Sequence, residues 1–411
     1  MESKPLSSGI KRICKANESL RAELLETLMD KVKKLLYITR YYTDQEFHLK
    51  KKFDGQIAAF QNLGYDVYYI GLDKRFLYLI HNDERTVYGK THFRLPHYIH
   101  TQLYNDLHKA AIKAINKIGF DYVYWRYAPL WRSSCKVAES IKETGGKLLL
   151  EIPTFPPEKE AHLNALRKIY SVYAVHLSKC FDPLVDKYIV IGEDAHGEYK
   201  GKPAINIENG IDVSNIPVRK PINHKGTIHI LALASMSYWH GYDRLIKSLA
   251  KYKGDQKVII HMVGGNDGGC LPEWKELTHR LKLDDKVIFH GPMSGEPLEE
   301  MFNLCDVGVN SLAMFKKGFN VTMELKAREY IARGLPFICA VDDPALFYAE
   351  KPMWLKVAND ESIPDMNEII GFALKMKSDP SHVQILRKLA EEHMTWEQQY
   401  KKVFEQLEGV N

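Results

Sequence analysis

The chain has 411 residues, of which 45% are hydrophobic and 27% are charged, and its formal net charge is +5. This length predicts two domains or more, and the small charge points to no nucleic-acid partner while it tolerates an anionic substrate. The six cysteines include no CxxC pair and no Cys/His ligand spacing, which argues against a zinc site or a disulfide framework and favours reduced, cytoplasmic thiols. No apolar run has the length of a membrane span, and residues 1–19 lack the apolar segment of a secretory signal.

Residues 1–33 predict a helical extension ahead of the first domain. Between residues 19 and 32, leucine, methionine and valine recur at helical spacing, and lysines lie on both flanks. A helix of this kind packs on its own domain or rests on anionic lipid, and the sequence leaves both options open.

Residues 34–215 predict an α/β domain in which short apolar strands alternate with helices. Residues 76–88 have the pattern of a hairpin with its turn at Asn82–Glu84, and residues 99–118 predict a helix. The strands are predicted at 35–39, 66–72, 121–127, 147–153, 186–192 and 203–209.

Residues 216–394 predict a second domain of the same kind, after a linker at 213–227 that lacks periodicity. Its strands are predicted at 229–235, 257–265, 286–291, 306–312 and 335–341. Near-continuous apolar strands indicate parallel sheets covered on both faces, and two such halves leave a cleft at the carboxyl ends of their strands. Thr395 and Gln398 then form a capping box for a final helix over 395–411, which carries an apolar stripe.

The segment TMELKAREYIARGLP at 322–336 predicts a helix with Thr322 as its N-cap and Gly334 just past its end. Thr322, Lys326 and Glu329 share one face of that helix. Backbone N–H groups at the helix start and the ammonium would bind a diphosphate, while the carboxylate would hold a ribose diol. The alternative is an exposed lysine–glutamate pair on a solvated face.

This segment occurs together with SYWHGYDR at 237–244, IENGID at 207–212, two wound halves and a final helix that begins with tryptophan. In this combination, the chain after residue 33 resembles the retaining "group 1" glycosyltransferases of the GT-B fold. It is most similar to the bacterial branch that builds capsule, exopolysaccharide or O-antigen. The resemblance implies an α/β fold of two Rossmann-like, doubly wound domains facing a cleft. The first domain would bind the acceptor, the second would bind the nucleotide sugar, and the last helix would cross back to the first domain.

The resemblance also implies the donor site. Glu329 matches the residue that holds the ribose hydroxyls, and Lys326 matches the lysine that faces the diphosphate. The earlier glutamate of the family's pair falls at a valine here, and Glu324 is close to that place without matching it. The remaining implied residues lie in strand-end turns and ahead of the helix: Gly241, Gly264, Gly265, Phe289, His290, Gly318, Asn320, Val321 and Thr322.

Two further positions depart from the family pattern. Ser235 and His240 stand where the family has an arginine and a lysine that bind the diphosphate. A neutral histidine donates one hydrogen bond but adds little charge, so Lys326, Arg328 or a lysine of the first domain would have to compensate. The alternative role for His240 is that of a satisfied polar residue at a helix start.

In the first domain, Arg126 and Glu151 each follow or end an apolar strand, where related enzymes place groups near the reacting sugar. The turn EIPTFPP at 151–157 is rigid, and a strand-end turn that faces a cleft is a functional position. For Glu151 the alternative is to cap the next helix. The lysine run at 50–52 would attract a phosphate-bearing acceptor or form a solvated charge run. The expected catalytic set is therefore Lys326, Glu151, Arg126 and His240.

The resemblance implies a retaining, metal-independent transferase that moves a hexose from a UDP-sugar, or a GDP-sugar, to a glycan or lipid-linked glycan in cell-surface polysaccharide biosynthesis. It would work in the cytoplasm, with peripheral contact to the inner face of the cell membrane as an option. Two alternatives stay open, a non-catalytic GT-B protein that binds carbohydrate or nucleotide and a GT-B sugar-nucleotide epimerase. A nicotinamide enzyme is disfavoured, because no strand leads into a GxGxxG segment.

Overall fold

The computed structural model describes residues 32–44, 49–92, 99–157, 165–222 and 226–409. The helix predicted at 19–32 falls on residues outside these ranges, apart from its last residue. Within the described ranges the chain forms two sheets, one in each predicted half. None of the helices in these ranges combines the length and the apolar character needed to cross a membrane.

The strands of the first half are β1 (Lys34–Tyr42), β2 (Asp66–Leu72), β3 (Phe76–His81), β4 (Glu84–Lys90), β5 (Tyr122–Arg126), β6 (Lys147–Phe155), β7 (Lys187–Gly192), β8 (Glu198–Tyr199) and β9 (Lys202–Ile207). They form one sheet in the order β4-β3-β2-β1-β5-β6-β7-β9-β8. Its centre is parallel, whereas β3, β4 and β8 pair antiparallel at the two edges. The hairpin turn is confirmed, since Asn82 and Asp83 have φ of 47° and 64°, as a tight two-residue turn requires.

The strands of the second half are β10 (Thr227–Leu233), β11 (Lys257–Val263), β12 (Val287–Gly291), β13 (Val307–Val309), β14 (Phe337–Cys339) and β15 (Trp354–Lys356). They form a parallel sheet in the order β12-β11-β10-β13-β14-β15. The strand order reverses between β10 and β13, which makes the carboxyl ends of these strands the place where doubly wound sheets bind ligands.

Helices cover both sheets. Those in the first half are α1 (Lys50–Asn62), α2 (Ile99–Ile118), α3 (Arg132–Glu143) and α4 (Ala165–Phe181). Those that follow are α5 (Tyr242–Lys251), α6 (Leu271–Arg280), α7 (Glu296–Leu304), α8 (Leu325–Arg333), α9 (Met366–Ser378), α10 (His382–His393) and α11 (Trp396–Glu408). Because of this cover, the side chains of Leu35, Leu36, Tyr37 and Ile38 on β1 are all fully buried. That burial is what the near-continuous apolar strands predict.

The last helix returns to the first half of the chain. The side chain of Thr395 accepts a hydrogen bond from the backbone N–H of Gln398, and the Gln398 side chain accepts one from the backbone N–H of Thr395, so the predicted capping box is confirmed. Tyr400 of α11 packs on Phe60 of α1 with 4.3 Å between ring centroids. Ile211 bridges to Thr395, so the two segments that connect the halves lie side by side.

Candidate functional site

A cleft of about 950 Å³ lies between the two halves. The first half contributes the ends of β6 and β7 and the start of α1, while the second half contributes the end of β10, the turn after β12 and the segment that leads into α8. Both sheets therefore turn the carboxyl ends of their parallel strands toward the same space, as the sequence predicted.

The segment ahead of α8 differs from its prediction. The helix begins at Leu325 with Glu324 in the N-cap position, and the backbone N–H of Thr322 is donated to the carbonyl of Asp342 at 2.9 Å. Thr322 is thus not the N-cap, although its side chain lines the cleft and its Oγ1 has no hydrogen-bond partner among the described residues. The end of the helix is as predicted, with Gly334 at φ 79°.

Lys326 lies on the wall of the cleft in a polar cage. Its Nζ is 3.1 Å from Ser311 Oγ, 3.3 Å from Tyr242 Oη and 3.7 Å from a carboxylate oxygen of Glu324, and its side chain is 11% exposed. Burial lowers the pKa of Lys326, and the neighbouring charge of Glu324 opposes that shift. The ammonium is therefore held in a fixed position with little water around it, where its field acts strongly on a bound anion.

Glu329 lies three residues after Lys326, almost one turn further along α8, and faces the same cleft. One carboxylate oxygen lies 3.0 Å from the guanidinium of Arg333, which Glu299 holds from its other side at 2.6 Å. The other oxygen is 3.5 Å from Nζ of Lys51, a residue of the first half whose side chain is 69% exposed. One edge of the carboxylate is thus fixed, and the other has a loose partner that a ligand can replace.

His240 and Ser235 also line the cleft. The ring Nδ1 of His240 accepts a hydrogen bond from the backbone N–H of Ser237 at 3.1 Å, so the proton of the neutral ring is on Nε2. Burial, together with the charges of Lys326 and Lys317, lowers the pKa of His240 to about 2. The positions at which the family has an arginine and a lysine therefore supply one neutral N–H donor and one hydroxyl.

Two lysines that were not predicted as donor-site residues line the cleft. Lys317 ends a short 3₁₀ turn, Met314–Lys317, and its Nζ lies 4.8 Å above the ring of Trp239, which also lines the cleft. Lys51 approaches from the first half, where the sequence left open whether the lysine run at 50–52 attracts a phosphate-bearing acceptor or is a solvated charge run. The prediction that Arg328 is a compensating cation is wrong, because Arg328 is fully buried and pairs with the carboxylate of Asp343.

Glu151 and Arg126 do not line the cleft, so their expected catalytic roles are not supported. The strand β6 continues past Glu151 to Phe155, and the cleft is reached only at Pro153–Phe155. Glu151 is fully buried and accepts hydrogen bonds from Tyr124 and Gln56, both at 2.8 Å. It also forms ion pairs with Lys52, at 3.3 Å, and with Arg126. Burial raises the pKa of Glu151, but those two positive charges outweigh it and lower the value to about 2.

Several predicted glycines serve the backbone rather than the cleft. A Cβ on Gly264 would lie 1.7 Å from the carbonyl oxygen of Ala234, so β11 and the end of β10 approach too closely for any other residue. Gly241 has φ 63° and would meet Ala313, and Gly318 closes the 3₁₀ turn with φ 74°. None of these three glycines lines the cleft. Gly265 does not line it either, and its carbonyl accepts a hydrogen bond from the backbone N–H of Met236.

The strand β12 ends at Gly291, as predicted, but its two predicted binding residues do not line the cleft. Phe289 and His290 remain within the strand, and the cleft is lined by the residues after it, Pro292, Met293 and Ser294. His290 instead ends a row of three histidines on adjacent strands, in which the ring nitrogens of His229 and His261, and of His261 and His290, are 2.9 Å apart.

Asn320 and Val321 form the strand-like approach to α8. Val321 lines the cleft, whereas Asn320 does not. The carbonyl of Asn320 accepts the N–H of Asp342 at 2.9 Å, and its side chain accepts a hydrogen bond from Asn359 at 3.2 Å. In the ranges that the structure covers, no group of three or more histidine, cysteine, aspartate or glutamate side chains is arranged to hold a metal ion.

Comparisons with known proteins agree with this architecture. Residues 215–345 match the sequence profile of the family Glycosyl transferases group 1. No curated protein sequence gives a significant match to the chain. Sucrose-phosphate synthase (tll1590) from Thermosynechococcus elongatus superposes with a TM-score of 0.63 at 16% identity, covering 92% of this chain and 100% of that one.

Two other solved structures have similar folds. Alr3699/HepE of Anabaena in complex with UDP-glucose has a TM-score of 0.57 at 12% identity and covers 92% of this chain and 100% of its own. The lipopolysaccharide outer core galactosyltransferase WaaB has a TM-score of 0.54 at 12% identity, with 91% and 99% covered. These likenesses confirm the predicted fold, two Rossmann-like domains in the GT-B arrangement.

Proposed function

We propose that this protein is a retaining hexosyltransferase, a proposal supported by the match of residues 215–345 to the profile of the group 1 glycosyl transferases. It takes its sugar from a UDP-sugar, with a GDP-sugar as the second choice, and transfers it to a glycan or lipid-linked glycan. A complex of the similar Alr3699/HepE contains UDP-glucose, which supports the choice of UDP. The likeness to WaaB, a lipopolysaccharide outer core galactosyltransferase, supports a role in cell-surface polysaccharide synthesis. We place this reaction in the cytoplasm, with contact to the inner face of the cell membrane as an option.

The observation that carries this proposal is the joint position of Lys326 and Glu329. Both side chains line one cleft from the first two turns of α8, although neither needs to face a cavity for the helix to fold. A carboxylate that accepts two hydroxyl hydrogen bonds suits the ribose diol, and a desolvated ammonium suits the diphosphate. A solvated surface pair would not be caged as Lys326 is, by Ser311 and Tyr242.

The positive charge for the diphosphate comes from three lysines in this proposal. Lys326 is fixed in the wall, Lys317 lies over Trp239, and Lys51 reaches in from the first domain. They replace the arginine and lysine of the family pattern, because Ser235 is uncharged and His240 stays neutral. When the donor binds, Glu329 exchanges its contact with Lys51 for the ribose, and the released ammonium can approach a phosphate oxygen.

The reaction breaks the bond between the anomeric carbon and the diphosphate oxygen and forms a bond from that carbon to the acceptor hydroxyl oxygen. Negative charge builds on the leaving diphosphate in the transition state, and the three ammonium groups stabilise it. The acceptor attacks on the face that the diphosphate leaves, and its proton passes to the departing phosphate oxygen. No protein nucleophile takes part, which accords with the absence of Glu151 from the cleft.

The first test is a thermal-shift series on the full chain with UDP, GDP, ADP, CMP and dTDP, each with and without EDTA. A ligand at 100 times its Kd adds about 2.7 kcal/mol to the free energy of unfolding, so binding raises the melting temperature. We expect the largest rise with UDP and no change with EDTA. A rise that EDTA abolishes would contradict metal independence, and no rise with any nucleotide would overturn the donor site.

The second test follows the chemistry with UDP-glucose and UDP-galactose. We expect slow transfer to water without an acceptor, and ¹H NMR of the first sugar released should give the α anomer of the donor. Release of the β anomer would contradict retention. Binding of UDP-sugars without any turnover, in water or with glycan acceptors, would favour the non-catalytic protein, and a changed sugar configuration would favour the epimerase.

A further inference from the structure

Two cysteine thiols of the first domain lie against each other, outside the cleft. Cys135 is on α3 and Cys180 is on α4, and their Sγ atoms are 2.8 Å apart. Both thiols face the carbonyl oxygen of Leu177, at 3.9 Å from Cys135 and 3.1 Å from Cys180. A disulfide bond is about 2.05 Å long, so less than about 1 Å of movement separates the two sulfur atoms from bonding distance.

The two thiols differ in their access to solvent. Cys180 is exposed, whereas Cys135 is buried between the helices. Burial and the hydrogen bond with Cys180 raise the pKa of the Cys135 thiol to about 12, so it reacts poorly by itself at neutral pH. An exposed thiol that meets the oxidant, with a second thiol held against it, is the arrangement that thiol–disulfide exchange requires.

We propose that Cys135 and Cys180 form a reversible intramolecular disulfide when the protein meets a small-molecule disulfide such as oxidised glutathione. The Cys180 thiolate attacks one sulfur of the reagent, and the other sulfur leaves as a thiolate. Cys135 then loses its proton, attacks the Cys180 Sγ and displaces the second reagent thiolate. The protein gives up two electrons and two protons, and the reagent becomes two thiols.

The bond would tie α3 to α4 and close a loop that contains β6. The last residues of β6, Pro153–Phe155, line the cleft, so the loop carries part of the cleft wall. Because the thiols are 45 residues apart in sequence and belong to no CxxC motif, the spacing of the cysteines does not reveal the pair. The inference rests on the positions of the thiols and does not depend on the proposed transferase activity.

The test uses the purified full chain, incubated with oxidised glutathione, alkylated and digested without reduction. We expect a cross-linked peptide pair that contains Cys135 and Cys180. Two of the six thiols should no longer react in a thiol titration, and both should react again after treatment with dithiothreitol. The second step should be the slower one, so a glutathione adduct at Cys180 should appear first and then decay. A stable adduct at Cys180, or cross-links only between other cysteines, would overturn the proposal.

Two variants sharpen the result. Cys135→Ser should stop the reaction at a stable mixed disulfide on Cys180, because the displacing thiol is gone. Cys270→Ser, which removes a partly buried cysteine of the second domain, should leave the cross-link and its rate unchanged. Equal adduct lifetimes in Cys135→Ser and the wild type would contradict the pairing, and the wild-type peptide map tests it even if a variant fails to fold.

Discussion

Among the residues that the structure describes, two lysine–glutamate pairs, one in each half, are largely shielded from solvent, and they differ in what surrounds them. Lys52 and Glu151 are 3.3 Å apart in the first domain, with side-chain exposures of 3% and 0%. Lys326 and Glu324 are 3.7 Å apart in the second, with exposures of 11% and 18%. Neither member of the first pair lines the cleft, whereas both members of the second do.

The difference shows why residue type alone does not identify a site. Both lysines lose solvent, and burial lowers the pKa of each. In the first domain, Tyr124, Gln56 and Arg126 complete the contacts of Glu151, so the group stabilises packing and has no ligand-facing surface. In the second domain the ammonium keeps a side open to the cleft, so the same chemistry is available to a ligand.

The largest effect should come from breaking the first-domain pair. Glu151→Gln leaves the positive charges of Lys52 and Arg126 buried without their carboxylate, so we expect a loss of about 3–5 kcal/mol in the free energy of unfolding. Urea denaturation measures it. Glu139→Gln, on the exposed face of α3, is the matched control and should change the value by less than about 0.5 kcal/mol. A stable Glu151→Gln with normal folding but no turnover would restore the catalytic role.

The second-domain pair should respond in the opposite way. Lys326→Met removes a charge that is costly to bury, so we expect the unfolding free energy to stay within about 1 kcal/mol of the wild type. Turnover should fall about 100-fold or more, because the leaving diphosphate loses a fixed cation. Steady-state kinetics with UDP-sugar measures this fall. Lys375→Met, at an exposed position of α9, is the control. Unchanged kcat would remove Lys326 from the site.

Glu329→Gln tests the ribose contact beside that lysine. A neutral amide binds the diol less well than a carboxylate, so we expect Kd to rise about tenfold for both UDP and uridine. Isothermal titration calorimetry measures both ligands. Glu276→Gln, exposed on α6, should change neither Kd. A loss confined to UDP would assign Glu329 to the phosphate region instead.

Lys317→Ala should separate the phosphate contact from the ribose contact. We expect the Kd of UDP to rise by about tenfold while that of uridine stays the same, because only the diphosphate meets the ammonium. The neighbouring Lys316, which does not line the cleft, provides the control as Lys316→Ala. Equal weakening of UDP and uridine would indicate that Lys317 acts by holding Trp239 in place.

The smallest expected effect is on the free energy of unfolding at mildly acidic pH. Burial, with His229 and His290 adding to it, lowers the pKa of His261 from 6.5 to about 4. Below pH 6.5 the unfolded chain therefore binds a proton at this histidine that the folded chain does not bind, and the free energy of unfolding falls as the pH drops. We expect this histidine to account for roughly 1 kcal/mol between pH 7 and pH 5.5, with His261→Gln flattening the slope. Glu151 stays ionised there, because its pKa is near 2.

Urea denaturation at pH 7, 6 and 5.5 measures both slopes. An identical slope in wild type and His261→Gln would contradict the assignment. A flatter slope in the Glu151→Gln variant than in the wild type over the same range would show instead that the first-domain pair dominates the acid response.

The fold could be predicted from sequence because its signals are local. Apolar strand runs, the hairpin turn at Asn82 and Asp83, and the capping box at Thr395 each depend on neighbours in the chain. Lys326, Glu329 and His240 were likewise predicted, and all three line the cleft. Their roles in binding and catalysis stay predictions.

The rest depended on contacts between distant parts of the chain. Thr322 does not cap α8, because Asp342 takes its backbone N–H. Glu151 does not reach the cleft, because β6 continues beyond it to Phe155. Its ion-pair partner Lys52 comes from α1, which is distant in the sequence. Lys51 faces Glu329 only through the meeting of the two halves, and no spacing in the sequence contains that information.

The return of α11 to the first domain has a consequence for synthesis on the ribosome. Tyr400, Val403 and Phe404 belong to the same apolar cluster as Phe60 and Tyr124, and Gln56 donates a hydrogen bond to Tyr400. The domain that is translated first therefore lacks part of its core until residues 396–408 have been made. The second domain, whose strands end at Lys356, has all its sheet residues earlier. The nascent chain must keep an incomplete first domain soluble while the later domain completes its sheet, which reverses the usual order in which domains fold.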